Sequence, residues 1–270
     1  MSVLIIGCGY LGLRAAKAWL AAGRTVFALT RGRADELRAN GIEPVVGDVL
    51  NPESLAALPR TDTVLYAVGM DRTAGKSMRE VYVQGVRNVV GALGSTRLLY
   101  ISSTSVYGQT DGSWVDETSP TDPLEESGKV VLEAEQTLRH VRPDSIILRF
   151  AGIYGPGRVL RKASLLKGEP VPGDGERFVN LIHVEDGVRA VLAAEEKAEP
   201  GETYLIADDA PPTRRELFTH TAARIGAPVP VFDGGGGVEA NRRVRNTKAK
   251  HRLGFQPLHA SIESGLSASM

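Results

Sequence analysis

The sequence predicts an α/β protein, a doubly wound parallel sheet with a small C-terminal lobe. Three observations predict it. Over residues 1–150, short runs that are apolar throughout alternate with longer amphipathic segments. A strand apolar on both faces must be covered on both faces, and helical crossovers between parallel strands do this. The first such strand runs straight into a glycine-rich turn that opens a helix. After residue 150 the texture changes, with Gly and Pro clustered in "YGPGR" (154–158), "GEPVPGDGE" (168–176) and "DGGGGV" (233–238). That half reads as a smaller, irregular lobe laid against the sheet edge.

The elements follow in order. "SVLIIG" (2–7) is a buried strand, and "LGLRAAKAWLAAG" (11–23) is a helix rich in Ala and Leu that Gly23 ends. "TVFALT" (25–30), "EPVVGD" (43–48) and "DTVLYAVG" (62–69) are the next strands. A helix covers about 76–94, "RLLYISS" (97–103) is a fifth strand, a helix covers 124–141, and "DSIILRF" (144–150) is a sixth strand. Beyond them, helices are expected near 185–197 and 213–226, and the four-glycine run 234–237 reads as a loop. The expected division is 1–152 for the sheet domain and 153–270 for the lobe, with about 178–207 returning to the sheet domain.

Composition removes several function classes. Lys plus Arg number 32 and Asp plus Glu number 32, so no bulk field attracts nucleic acid or an anionic membrane. No run approaches the roughly 18 apolar residues of a membrane span. Cys8 is the only cysteine, which excludes an intramolecular disulfide and fits a reducing compartment. The start "MSVLIIGCGYLG" has no basic segment and reads as a strand, so a cytoplasmic protein is expected. The five histidines are scattered and give no metal-ligand spacing, so no metal is expected.

"GCGYLG" (7–12) fits G-x-G-x-x-G in the context that gives the motif force, after a strand and opening a helix. Gly7 permits the tight turn, Gly9 lets backbone approach a pyrophosphate, and Gly12 lets helix and strand pack closely. Tyr10 and Leu11 open the helix whose N–H groups face the phosphates. This is the dinucleotide site of a Rossmann domain. For NAD, an acid is expected at the tip of the second strand, to bind the ribose 2′-hydroxyl. This strand ends "ALTRGR", and Arg31 and Arg33 suit a 2′-phosphate by charge and fork geometry. NADP(H) is therefore the preferred cofactor, with NAD(H) possible. Asp48 and Val49 are placed to frame the adenine, and Ala67, Val68 and Gly69 to pass beside the pyrophosphate.

Several segments together resemble the extended short-chain dehydrogenase/reductase family, its NAD-dependent epimerase/dehydratase group. They are "GCGYLG", "YISSTSVYG" (100–108), "SGKVVLEAE" (127–135), "LRFAGIYGPGR" (148–158), "IHVEDGVRAV" (182–191) and "HRLGFQP" (251–257), in the family's order and across nearly the whole chain. The resemblance implies a catalytic serine, a tyrosine, a lysine four residues after it, and often an asparagine. The tyrosine exchanges a proton with substrate, the lysine lowers its pKa and holds the nicotinamide ribose, and the serine binds the reacting oxygen. Carried over, the serine is Ser103 and the lysine Lys129. The tyrosine position holds Glu125 and the asparagine position Tyr82.

A carboxylate ionised near pH 4.3 is a poor substitute for the tyrosine, and Glu125 before Lys129 also reads as an i, i+4 surface pair. Tyr107 and Tyr154 are the other candidate proton donors, with packing as the alternative role for each. Asp186 is expected to cap the helix after it, and His183 to be a structural partner. Val179 and Asn180 stand where epimerases carry the Arg-Asp pair that grips a nucleotide diphosphate, with Arg177 two residues off. The pattern is nearest an atypical subgroup that keeps the glycine motif and "SGK-x-x-LEAE" but lacks the tyrosine. Two readings result: an oxidoreductase or isomerase of atypical mechanism acting on a small polar, sugar-like or carbonyl metabolite, or an inactive NADPH-binding regulator. No nucleic acid or membrane partner is expected, and the chain is a monomer or a homodimer through helices 76–94 and 124–141.

Overall fold

The computed structural model describes residues 1–235 and 237–269. The run 234–237 includes Gly236, which lies outside them. In chain order the strands are β1 (Ser2–Ile6), β2 (Thr25–Thr30), β3 (Glu43–Val46), β4 (Thr63–Tyr66), β5 (Arg97–Ser103), β6 (Trp114–Val115), β7 (Ile146–Phe150), β8 (Gly152–Tyr154), β9 (Leu181–His183), β10 (Thr203–Ile206) and β11 (Arg243–Val244). The helices are α1 (Tyr10–Ala21), α2 (Ala34–Ala39), α3 (Gly85–Ala92), α4 (Glu126–Val141), α5 (Lys162–Leu166), α6 (Val184–Lys197), α7 (Arg214–Ile225), α8 (Thr247–Leu253) and α9 (Ile262–Ser269).

Seven strands form one parallel sheet in the order β10-β7-β5-β4-β1-β2-β3. The chain builds outward from β1 through β2 to β3, then returns to β4 on the other side of β1. That reversal opens a crevice at the C-terminal ends of β1 and β4, where ligands of such sheets bind.

Strand side chains alternate between two cores. Val3, Ile5, Leu65, Leu99, Ile146 and Leu148 face one layer, packed with Trp19 of α1 and Val191 of α6. Leu4, Ile6, Val64, Tyr66, Leu98 and Ile147 face the other, with Val86 and Val89 of α3 and Leu138 of α4. Both faces of the same strands are apolar, and this is why the sheet is doubly covered. A third core, with Leu165, Leu217, Phe218 and Leu266, unites α5, α7 and α9 of the C-terminal part. There Thr213 and Glu216 close a capping box on α7.

The structure departs from the expected elements in a few places. The helix expected over 76–94 runs without a break over 78–92, but its turn at Glu80–Gln84 is a π-turn, after which α3 follows. The strand over 62–69 ends at Tyr66, and residues 67–69 form a loop over the crevice. The helices α2, α5, α8 and α9 and the sheet strand β10 were not expected. All are eight residues or shorter, too short for a periodic pattern to stand out from its surroundings.

Candidate functional site

The glycine loop is built by close approach. Gly7 has φ +98°, and a Cβ there would lie 2.4 Å from the Ala67 carbonyl carbon. A Cβ on Gly12 would lie 2.5 Å from the Gly7 carbonyl oxygen, so α1 presses directly on the loop. Gly9 differs: a Cβ there would meet nothing within 4 Å. Its open face borders a cavity of about 890 Å³. Gly9 is also the N-cap of α1 and offers no side-chain cap, so the first N–H groups of the helix stay available to a ligand. This cradle fits a dinucleotide pyrophosphate.

Gly7, Gly9, Tyr10 and Leu11 line the cavity from the α1 side, and Ala67, Val68 and Gly69 from the β4 side. Gly12 lies beneath, as its packing contact requires. Asp48 and Val49 line the far end. One Asp48 carboxylate oxygen accepts the Leu50 N–H at 2.9 Å, and Asn88 donates to the Val49 carbonyl at 2.9 Å. Arg31 and Arg33 flank the mouth. Arg33 donates to the Cys8 carbonyl at 2.6 Å and to Glu36 at 3.3 Å. Arg31 donates to Asp71 at 2.7 Å. The Thr73 hydroxyl and then Arg31 hold the Asp71 carboxyl down at about 2. Burial pushes the Cys8 thiol up to about 11, so it is a small packed residue and no nucleophile at neutral pH.

Residues 3–207 match the model of the NAD dependent epimerase/dehydratase family. The chain belongs to that family. Protein YeeZ of Escherichia coli is 32% identical over 267 residues, covering 94% of each chain. A 2-alkyl-3-oxoalkanoate reductase of Shewanella oneidensis is 30% identical, covering 82% of this chain and 65% of the reductase. The crystal structure of DesIV, a dTDP-glucose 4,6-dehydratase from Streptomyces venezuelae with NAD bound, shares the fold at TM-score 0.86 and 23% identity, covering 99% of this chain and 95% of DesIV.

The family's catalytic positions divide in two. Ser103, at the end of β5, lines the same cavity as the glycine loop. Its Oγ accepts the Ser105 N–H at 3.1 Å, which leaves its own hydroxyl hydrogen to donate. Tyr82, on the π-turn, also lines the cavity. Burial raises its phenol pKa. The sequence pointed to Tyr82 only as the residue replacing an asparagine, not as part of the site. Lys129 and Glu125 are not among the lining residues, and α4 reaches the cavity through Val131. Glu125 is the exposed N-cap of α4, and its carbonyl accepts the Lys129 N–H at 3.1 Å, so the two stand one turn apart, but its carboxylate accepts the Ser127 hydroxyl at 3.3 Å and does not pair with the lysine. Lys129 instead sits 3.7 Å from Glu126.

The two alternative tyrosines pack. Tyr107 is 1% exposed, donates to the Asp116 carbonyl at 2.9 Å and accepts from Arg149 at 2.7 Å. Its hydroxyl is committed away from the cavity. Tyr154 is equally buried, against α9, where a Cβ on Gly265 would strike its hydroxyl.

Asp186 does not cap α6. It lies inside the first turn, and its carboxylate accepts the N–H groups of Leu258 at 2.6 Å and His259 at 2.9 Å. His183 is fully buried between Tyr154 and His259, with ring centroids 5.3 and 4.1 Å away. Burial and then His259 lower its pKa. The fold thus gathers His183, Asp186 and His259 within 4.8 Å, a cluster the sequence spacing concealed. Another residue missed from sequence is Arg158, which lines the cavity and lies 5.4 Å from the Tyr10 ring.

Proposed function

We propose that this family member binds NADP(H) above Gly9 and reduces, oxidises or isomerises a small polar metabolite at Ser103. One observation carries the reading: a single cavity runs from the glycine loop, past Arg31 and Arg33, to Ser103. When bound, the nicotinamide supplies or takes up a hydride. The protein's part is to bind, orient and move a proton. Gly9 and the first turn of α1 hold the pyrophosphate, and Arg31 and Arg33 take the 2′-phosphate. Ser103 donates to the reacting oxygen. Lys129 is exposed beside Glu126 and is the residue that would hold the ribose, provided its side chain left that carboxylate. Glu125 is exposed and outside the cavity lining, so it is not placed to serve as the proton donor. The 2-alkyl-3-oxoalkanoate reductase among the relatives supports carbonyl chemistry.

The test is a titration of nucleotide-stripped protein with NADPH and NADH, followed by nicotinamide fluorescence. NADPH should bind at least tenfold more tightly, and a double Arg31→Ala, Arg33→Ala variant should lose that preference. Equal affinities in the parent protein would remove the NADP assignment.

A second reading is a regulator that binds NADPH without turnover. The exposed Glu125 in the tyrosine's place and Lys129 outside the cavity lining favour it. Protein-dependent NADPH oxidation with any small carbonyl compound rules this reading out.

A further inference from the structure

A second, smaller pocket opens one residue beyond Ser103. Its volume is about 200 Å³, and Thr104, Arg177, Asn180, Arg214, Glu239 and Arg242 line it. Residues 104, 177, 214 and 242 come from four separate stretches of chain, which only the fold brings together. Three guanidinium groups meet one carboxylate there. Arg177 is 8% exposed and pairs with Glu239. Arg214 donates to the Pro172 carbonyl, and Arg242 to the Thr104 carbonyl at 2.7 Å. The Nε atoms of Arg177, Arg214 and Arg242 are all buried and have no partner among the described residues. Buried donors of this kind are normally satisfied, and in the lining itself three guanidinium groups outnumber the one Glu239 carboxylate, with Glu125 and Asp174 acting on Arg242 and Arg214 from outside it. Burial, followed for Arg214 by the charge of Arg177, pulls the pKa of both Arg214 and Arg242 below the ordinary guanidinium value. An anion would relieve both effects.

We propose that this pocket holds one compact oxyanion, a phosphate monoester or a carboxylate, carried by the substrate whose reacting carbon lies at Ser103. The proposal rests on the cofactor reading above. Planar guanidinium forks match both oxyanions. Size sets the class. Pockets that enclose drug-sized ligands start at about 300 Å³, so this one takes an oxyanion and a few carbons, not a nucleoside diphosphate. Ser103 lines the cofactor cavity and Thr104 the smaller pocket, and consecutive Cα atoms are about 3.8 Å apart, so the two sites meet at neighbouring residues. The substrate class is a small phosphorylated or carboxylated carbonyl compound or alcohol, in place of a nucleotide sugar.

The experiment uses protein saturated with NADPH, so that the glycine loop is already filled. Inorganic phosphate, acetate and UDP are titrated by calorimetry, with sodium chloride at equal ionic strength as the control. Saturable binding of phosphate or acetate is expected, at least tenfold weaker in Arg214→Gln and in Arg242→Gln, with NADPH affinity unchanged in both. Whichever of phosphate and acetate binds more tightly identifies the oxyanion. Equal binding by parent and variants, or no heat beyond chloride, overturns the site. UDP binding more tightly than both small anions, and lost in the same variants, overturns the size argument. If NADPH itself does not bind, the cofactor reading falls, and the same titrations on the nucleotide-free variants still decide the anion site.

Discussion

Gly7, Gly9 and Gly12 occupy one six-residue loop and answer to different physics. Gly12 is held by sterics, since any Cβ there meets backbone at 2.5 Å that cannot give way cheaply. Gly9 has negative φ and open space, so alanine fits the folded chain but fills the cradle. Gly12→Ala should therefore cost about 1–3 kcal/mol in urea unfolding, the range for overpacking. Gly9→Ala should leave the unfolding midpoint almost unchanged and weaken dinucleotide binding at least tenfold. The reverse pattern would contradict the assignment of the cradle. Asp208 is another residue whose surroundings decide its behaviour. It is 2% exposed, and among the described residues neither carboxylate oxygen has a hydrogen-bond partner of good geometry. Burial, with Asp209 and Asp186 nearby, pushes its pKa up to about 8 from an ordinary 3.8. Between those values the folded chain holds a proton that the unfolded chain releases. Its contribution to stability therefore falls as pH rises through that window and levels off above pH 8. The stability of Asp208→Asn relative to the parent should rise steadily from pH 4 to pH 8. A difference that stays constant over that window would show that Asp208 titrates normally.

Among the elements, β5, α4 and β7 are tied by a buried polar chain. Ser102 of β5 donates to Glu135 of α4 at 2.5 Å, Arg149 of β7 donates to Glu135 at 2.7 Å, and Arg149 continues to Tyr107. Glu135 is 3% and Arg149 9% exposed. Ser102 directly precedes Ser103, so the network anchors the end of β5 beside the family serine. Removing one member strands the charge of the other in the core. Glu135→Ala should cost about 3–5 kcal/mol, measured by denaturant unfolding. A loss below 1 kcal/mol would mean that water reaches Arg149. The π-turn before α3 works at the same scale. It widens the helix locally and sets Tyr82 toward the cavity, a placement common for such turns at functional sites.

Across the whole molecule, the crevice exists because the chain reverses direction between β3 and β4. Strand order β10-β7-β5-β4-β1-β2-β3 brings the segments after β1, β2, β3, β4, β5 and β7 to one edge, and they line most of the cavity. The C-terminal segment is fastened to this body through Asp186, whose carboxylate takes the Leu258 and His259 N–H groups. Asp186→Ala should raise amide hydrogen exchange over 254–269 while leaving β1 protected. Uniform exchange in parent and variant would show that the third core alone holds the segment. No helix among the described residues is long and apolar enough to cross a membrane.

The sequence by itself determined the parallel sheet, the family and the glycine cradle. Each is written in a contiguous stretch: "SVLIIG" is apolar on both faces, and "GCGYLG" holds three glycines at fixed spacing. Arg31 and Arg33 were legible for the same reason, being the next residues after a recognisable strand. Tertiary structure alone decided what meets across the chain. Tyr107 looked available until Arg149, 42 positions later, claimed its hydroxyl. Glu125 and Lys129 do stand one turn apart, but the expected ion pair does not form, because the lysine lies beside Glu126 and the Glu125 carboxylate takes the Ser127 hydroxyl. His183 met His259, and Thr104 met Arg177, Arg214 and Arg242, only when the lobe folded back on the sheet. Local pattern encodes which face of an element is buried, because burial follows the period of the backbone. It does not encode which distant side chain is waiting there, and the partner decides whether a polar group is free to react.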